Sequence, residues 1–167
     1  MQSHRCSEAR SVLDTALAET RSLAGNRPNT NVAEIVDSLG RCNLQQGDYR
    51  KARAFFAEAL EDNRAALGPS KPSTLRSEIH LAWGDILLTR DRATLEYLAS
   101  KRDALIAALG SDHHPDVWQF DLLTDSLAAE MHAPRIDRAR RKAAEEGLRR
   151  LAGTSSVPRF VGLNSLS

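Results

Sequence analysis

Cysteine is scarce. Cys6 and Cys42 are the only two in 167 residues, too few for a disulfide framework or a four-thiolate zinc site. Both fall among polar neighbours in segments with helical spacing and read as ordinary helix residues, so the redox compartment stays open, with the cytoplasm as the default. Aromatics make up only 5% of the chain, while Ala, Leu, Arg and Glu dominate, a helical composition rather than that of a β-sandwich. No period-2 alternation marks a strand or hairpin. The apolar runs are far shorter than a membrane span requires, and the opening "MQSHRCSEAR" lacks the apolar core of a secretion signal. A net charge of +1 exerts no global pull toward nucleic acid or membrane. What remains is 41% hydrophobic and 27% charged, the profile of a soluble, folded chain. Its length suits one domain or a stack of a few repeats.

A repeat lies in the turns. "LAGNRPNT" at 23–30, "LGPSKPST" at 67–74 and "LGSDHHPDV" at 109–117 are followed by a weaker "LAGTSSVP" at 151–158. Their glycines, Gly25, Gly68, Gly110 and Gly153, stand 43, 42 and 43 residues apart. Gly after an apolar run is a helix C-cap, and Pro shortly beyond it cannot continue the helix. Between turns there is room for two helices with a short break, at Gly47-Asp48 in the first full unit. Apolar spacing predicts helices near 5–23, 31–46, 49–67, 74–90, 92–109, 115–131 and 135–151. Residues 153–167, "GTSSVPRFVGLNSLS", form a Gly/Ser/Pro-marked tail, extended or disordered by default.

The stretch "SLGRCNLQQGDYRKARAFFAEALEDNRAALG" resembles a tetratricopeptide repeat of the longer, 42-residue kind found in kinesin light chains and many bacterial proteins. The matching positions are Leu39, Gly40, Gly47, Tyr49, Ala52, Phe56 and Ala59. The packing logic agrees: Gly40 and Ala52 are small where antiparallel helices approach, Phe56 fills the gap, and Tyr49 wedges the turn. A shift of 42 places Leu81 and Ala82 on the small pair and Leu98 on the aromatic site, with Thr89 and Asp91 replacing the turn Gly and Tyr. A further shift reaches Leu123 and Thr124, then a turn around Met131–Pro134. Toward the N-terminus Ala9, Leu13 and Ala16 fall on the second-helix code, so that segment reads as a half repeat, either a cap or the start of a fragment of a longer protein. The resemblance implies an all-α, right-handed superhelix of about seven helices in antiparallel hairpins, an α-solenoid. It comprises a half repeat at 5–25 and repeats at about 30–68, 73–110 and 115–153 within a domain of 1–152.

The resemblance also implies that a concave groove, lined by the first helix of each hairpin, binds a protein or peptide. The first repeat projects Glu34, Asp37, Ser38, Arg41 and Gln45 into it, the second Arg76, His80, Trp83 and Leu87, and the third Trp118, Asp121 and Asp125. Two Trp in an aromatic-poor chain are natural anchors, with Trp83 expected in the groove and Trp118 balanced between groove and core. The subtype's backbone-clamping Asn is replaced by Ser38, His80 and Leu122. "SDHHPD", with Asp112, His113, His114 and Asp116, could be a metal site but reads better as a structural turn. No triad accompanies His80, so no enzyme activity, metal or cofactor is expected. The basic segment holding Arg135, Arg138, Arg140, Arg141, Lys142, Arg149 and Arg150 reads as a solvated cap rather than a nucleic-acid surface. In the tail, Phe160, Val161, Leu163 and Leu166 could dock in a groove. The leading expectation is a cytoplasmic protein–protein scaffold. The alternatives are a regulatory module of a larger bacterial kinase or transcription regulator, and a domain self-associating through Val12 and Leu13 of the half repeat or through the tail.

Overall fold

The structure is a computed structural model that describes residues 2–25 and 27–152. Among them lie seven helices and no strand: α1 (Gln2–Ala24), α2 (Thr30–Gln45), α3 (Tyr49–Leu67), α4 (Pro72–Thr89), α5 (Arg92–Leu109), α6 (Pro115–Glu130) and α7 (Arg138–Ala152). The expected helices are therefore all present, most ends within two or three residues of their forecast. The last begins later than the spacing indicates. Asp137 accepts the backbone N–H of Arg140 at 2.9 Å and so starts α7, while Arg135 is drawn out of the helix toward Asp125. Gly153, the tail and its apolar residues Phe160, Val161, Leu163 and Leu166 lie outside the described residues.

The chain divides into two compact units, Met1–Thr89 and Arg90–Ser167. In the first, α1 packs on α2, α2 on α3 and α3 on α4. The helix starts follow local chemistry. Asn29 caps α2 by accepting the N–H groups of Asn31 and Val32, and Asp48 caps α3 by accepting that of Lys51. Between them Gly47 sits at φ 78, a left-handed conformation that lets α2 reverse into α3 within three residues. Gly25, Gly68 and Gly110, which follow α1, α3 and α5, also have positive φ. The α3–α4 turn is tied by Thr74, whose hydroxyl donates to the Gly68 carbonyl at 2.8 Å. Behind it Asn63 donates to the Ser77 hydroxyl at 3.0 Å.

The packing code read from the sequence is visible in this unit. Ala52, Phe56 and Ala59 are fully buried, and a Cβ added at Gly40 would stand 2.5 Å from the Phe56 ring. Burying one such ring contributes on the order of 2 kcal/mol. Leu17, Val32, Ala33, Val36, Leu39 and Ala59 form a continuous core, with Leu13, Ile35 and Phe55 packed against it. Leu13 thus faces inward, and of the two apolar α1 residues expected to seek a second copy only Val12 is exposed, at 69%.

In the second unit α5 packs on α6 and α6 on α7. Leu98, on the aromatic site of the code, is fully buried, as are Val117 and Leu127 of α6 and Ala144 of α7. Arg90 bonds Glu130 at 2.6 Å and Arg92 donates to the His132 carbonyl at 2.9 Å, joining the start of α5 to the end of α6. No helix among the described residues is long and apolar enough to cross a membrane.

Candidate functional site

In the first unit, the residues expected to line a groove converge on one buried acid. Asp37 of α2 accepts the Nδ1–H of His80 on α4 at 2.6 Å, and the two side chains are only 13% and 15% exposed. Arg41, one turn on, reaches the other Asp37 oxygen at 3.3 Å and the Ser38 hydroxyl at 3.0 Å. Burial alone would push the Asp37 carboxyl up, but the His80 ring, Arg41 and Arg76 outweigh it and hold the carboxyl below its usual value. His80 lies 5.3 Å from the Phe56 ring centroid and 6.3 Å from that of Trp83. The pair therefore ties α2 to α4, with the Phe56 and Trp83 rings beside it. Glu34, Arg41 and Arg76 are exposed around it, with Ser38 partly covered.

Three of the residues assigned to the groove behave differently. Trp83 is 6% exposed, with its indole beside His80, so it is buried packing and not a solvent-facing anchor. Leu87, one turn further along α4, is buried likewise. Gln45 is exposed but turns its amide oxygen to the thiol of Cys6 on α1, at 2.7 Å. Cys6 and Cys42 are both buried. Burial and the neighbouring Cys6 raise the Cys42 thiol to about 11, leaving it protonated near neutrality.

In the second unit Asp121 and Asp125 do not line an open surface either. Both point inward from α6, 2% and 3% exposed. Arg102 of α5 grips Asp121 with two bonds, at 2.9 and 3.1 Å, and Arg140 of α7 bonds the same carboxylate. Arg135 grips Asp125 through both oxygens, the Nε bond measuring 2.6 Å, and Arg141 stands at 3.6 Å. The Arg135 bonds hold the Asp125 carboxyl below its usual value, against burial and with help from Arg141. Trp118 is partly covered because its ring lies on the bare backbone at Gly147, where an added Cβ would approach within 2.5 Å. The basic segment is thus divided: Arg135, Arg140 and Arg141 turn in to the two aspartates, while Arg138 and Arg149 face solvent.

These arginines were not singled out as partners from the sequence. A usable signal existed: two carboxylates four residues apart sit within the apolar stripe of Val117, Phe120, Leu123 and Leu127. Carboxylates on a buried helix face require cations. In the "SDHHPD" turn, His114 caps α6 by accepting the Asp116 N–H at 3.1 Å, and His113 pairs with Asp112 in solvent. Among the described residues no three His, Cys, Asp or Glu side chains converge as a metal site would need. No protein-family model matches the chain, nor does any curated protein or solved structure, so its function has to be read from these residues.

Proposed function

We propose that the first unit is a tetratricopeptide-like interaction module that binds a peptide segment of a partner protein across α2 and α4. The observation that supports this reading is the Asp37–His80 bond, which ties α4 to α2. Glu34, Ser38, Arg41 and Arg76 then present charge and hydrogen-bonding groups on a surface that is already ordered. A preformed surface spares the partner's binding energy the cost of ordering the receptor. Specificity would come from the two guanidiniums, each suited to bidentate contact with a carboxylate of the peptide, and not from Trp83, which is buried.

Selection from a displayed random-peptide library tests this. Wild-type protein should enrich a peptide motif containing acidic residues, and the Arg41→Glu/Arg76→Glu double variant, still folded by circular dichroism, should lose it. Failure to enrich any motif, or a motif indifferent to the charge reversal, would rule the reading out.

A further inference from the structure

Cys6 on α1 and Cys42 on α2 are the only two cysteines of the chain, and the first unit brings them together. Both are buried. Cys6 donates its S–H to the Gln45 amide oxygen at 2.7 Å. Gln45 stands one turn beyond Cys42, so the two side chains leave the same face of α2, and Cys6 lies over that face. The two sulfurs are close enough for a side-chain hydrogen bond between them. One turn along α1, Arg10 reaches Asn43 at 3.4 Å and Gln46 at 3.5 Å, which holds the same register.

Buried cysteines commonly fill apolar gaps as small hydrophobes. This pair has a different setting, among the polar groups of Gln45, Asn43 and Arg10. The apolar anchors of α1, Leu13 and Leu17, come further along the helix. A covalent link at Cys6 would therefore fasten the half of α1 that those leucines do not reach. With two cysteines in the chain, only one intramolecular pairing exists. The pair is separate from the peptide surface proposed above, because no residue is common to both.

We infer that Cys6 and Cys42 form a reversible disulfide that latches the N-terminal half of α1 onto α2, with the glutathione couple as oxidant and reductant. The Cys6 thiolate attacks one sulfur of oxidised glutathione, forming a mixed disulfide and expelling one glutathione thiolate. The Cys42 thiolate then attacks the Cys6 sulfur and expels the second. The protein loses two electrons and two protons, and one oxidised glutathione becomes two reduced molecules. Burial and the neighbouring Cys6 hold Cys42 protonated near neutrality. Cys42 is thus both a slow attacking group and a poor leaving group, so the latch opens and closes slowly.

The test equilibrates the full chain in glutathione buffers of graded composition. Acid quenching and trypsin should then release residues 6–10 joined to residues 42–50, from protein that stays monomeric. Urea unfolding is read at the Trp83 ¹⁹F resonance of the chain labelled with 5-fluorotryptophan. Its midpoint should rise by roughly 1–2 M on oxidation and return with dithiothreitol. Cys6→Ser and Cys42→Ser should each abolish that rise. By reciprocity, the folded chain should close the disulfide at least about tenfold more readily than the chain in concentrated urea. The inference is overturned if the folded chain yields only glutathione adducts or linked dimers. It is equally overturned if the pair closes no more readily than in urea, or if the midpoint does not rise.

Discussion

In the first unit α2 meets α3 where the backbone of Gly40 accepts the ring of Phe56, both in a buried setting. In the second unit α6 meets α7 through Asp121 and Asp125, each held by arginines, with the Trp118–Gly147 contact beside them. Both contacts use a glycine to bring an aromatic ring onto a helix backbone. They differ in what surrounds it. Phe56 is fully buried, with Gly40, Gly84 and His80 against its ring, whereas Trp118 borders a cavity and is partly exposed. Apolar interdigitation has no charge to screen or titrate, while an ionic fastening is weakened by both salt and acid. The chain thus sets two ways of closing a helical hairpin side by side, and its two tryptophans, Trp83 and Trp118, fall one in each unit and report on them separately.

The largest effect should come from removing a charge in the second unit. Asp121→Asn leaves Arg102 and Arg140 without their shared anion and should cost about 3 kcal/mol, since breaking a buried pair strands the partners. Urea unfolding read at the Trp118 ¹⁹F resonance measures it, with the Trp83 resonance displaced less. A loss below about 1 kcal/mol would mean that the network behaves as a surface ion pair.

A smaller contrast separates the two glycines. Gly40→Ala gains helix propensity of about 1 kcal/mol, but its Cβ would lie 2.5 Å from a fully buried ring. Overpacking should win, for a net loss of about 1–2 kcal/mol. Gly147→Ala presents the same approach to Trp118. There the ring can slide toward the cavity, so the net change should be near zero. Equal losses at the two sites in thermal unfolding would erase the distinction between a sealed and a yielding contact.

The smallest effect is a pH dependence. The Asp125 carboxyl is held low in the folded chain by Arg135. Its contribution is therefore fully present above the usual carboxylate value of about 3.9 and is lost as pH falls through the lowered folded value. Stability at the Trp118 resonance should decline below about pH 4 in the wild type, and Asp125→Asn should flatten that decline. At the Trp83 resonance a decline tied to Asp37 should persist in the variant, because His80, Arg41 and Arg76 hold that carboxyl low independently. An unchanged acid slope at Trp118 would show that Asp125 is not the group responsible.

The helices, their order and the turn positions were legible because they are local. Glycine, proline and capping residues recur at a fixed interval, and each acts on its own few neighbours. The code Gly40, Ala52, Phe56 and Ala59 was legible for a similar reason: close helix approach admits few residue types. The candidate surface was legible only in part. The repeat register placed Asp37 and His80 on one common face, yet it also counted Trp83, Leu87, Asp121 and Asp125 as groove residues when all four are buried. Helical register specifies the direction in which a side chain leaves its own helix, not what stands opposite.

The sequence by itself determined seven helices, their turns and the tight contact at Gly40, since these follow from backbone sterics and short-range spacing. The tertiary structure alone decided that Trp83 would be buried and not an anchor, that Arg102 and Arg140 would share one aspartate, and that a cavity would open beside Trp118. Those outcomes depend on which side chains from distant helices meet in a low-dielectric interior. There a carboxylate must find its cation, and a ring takes whatever space a glycine leaves.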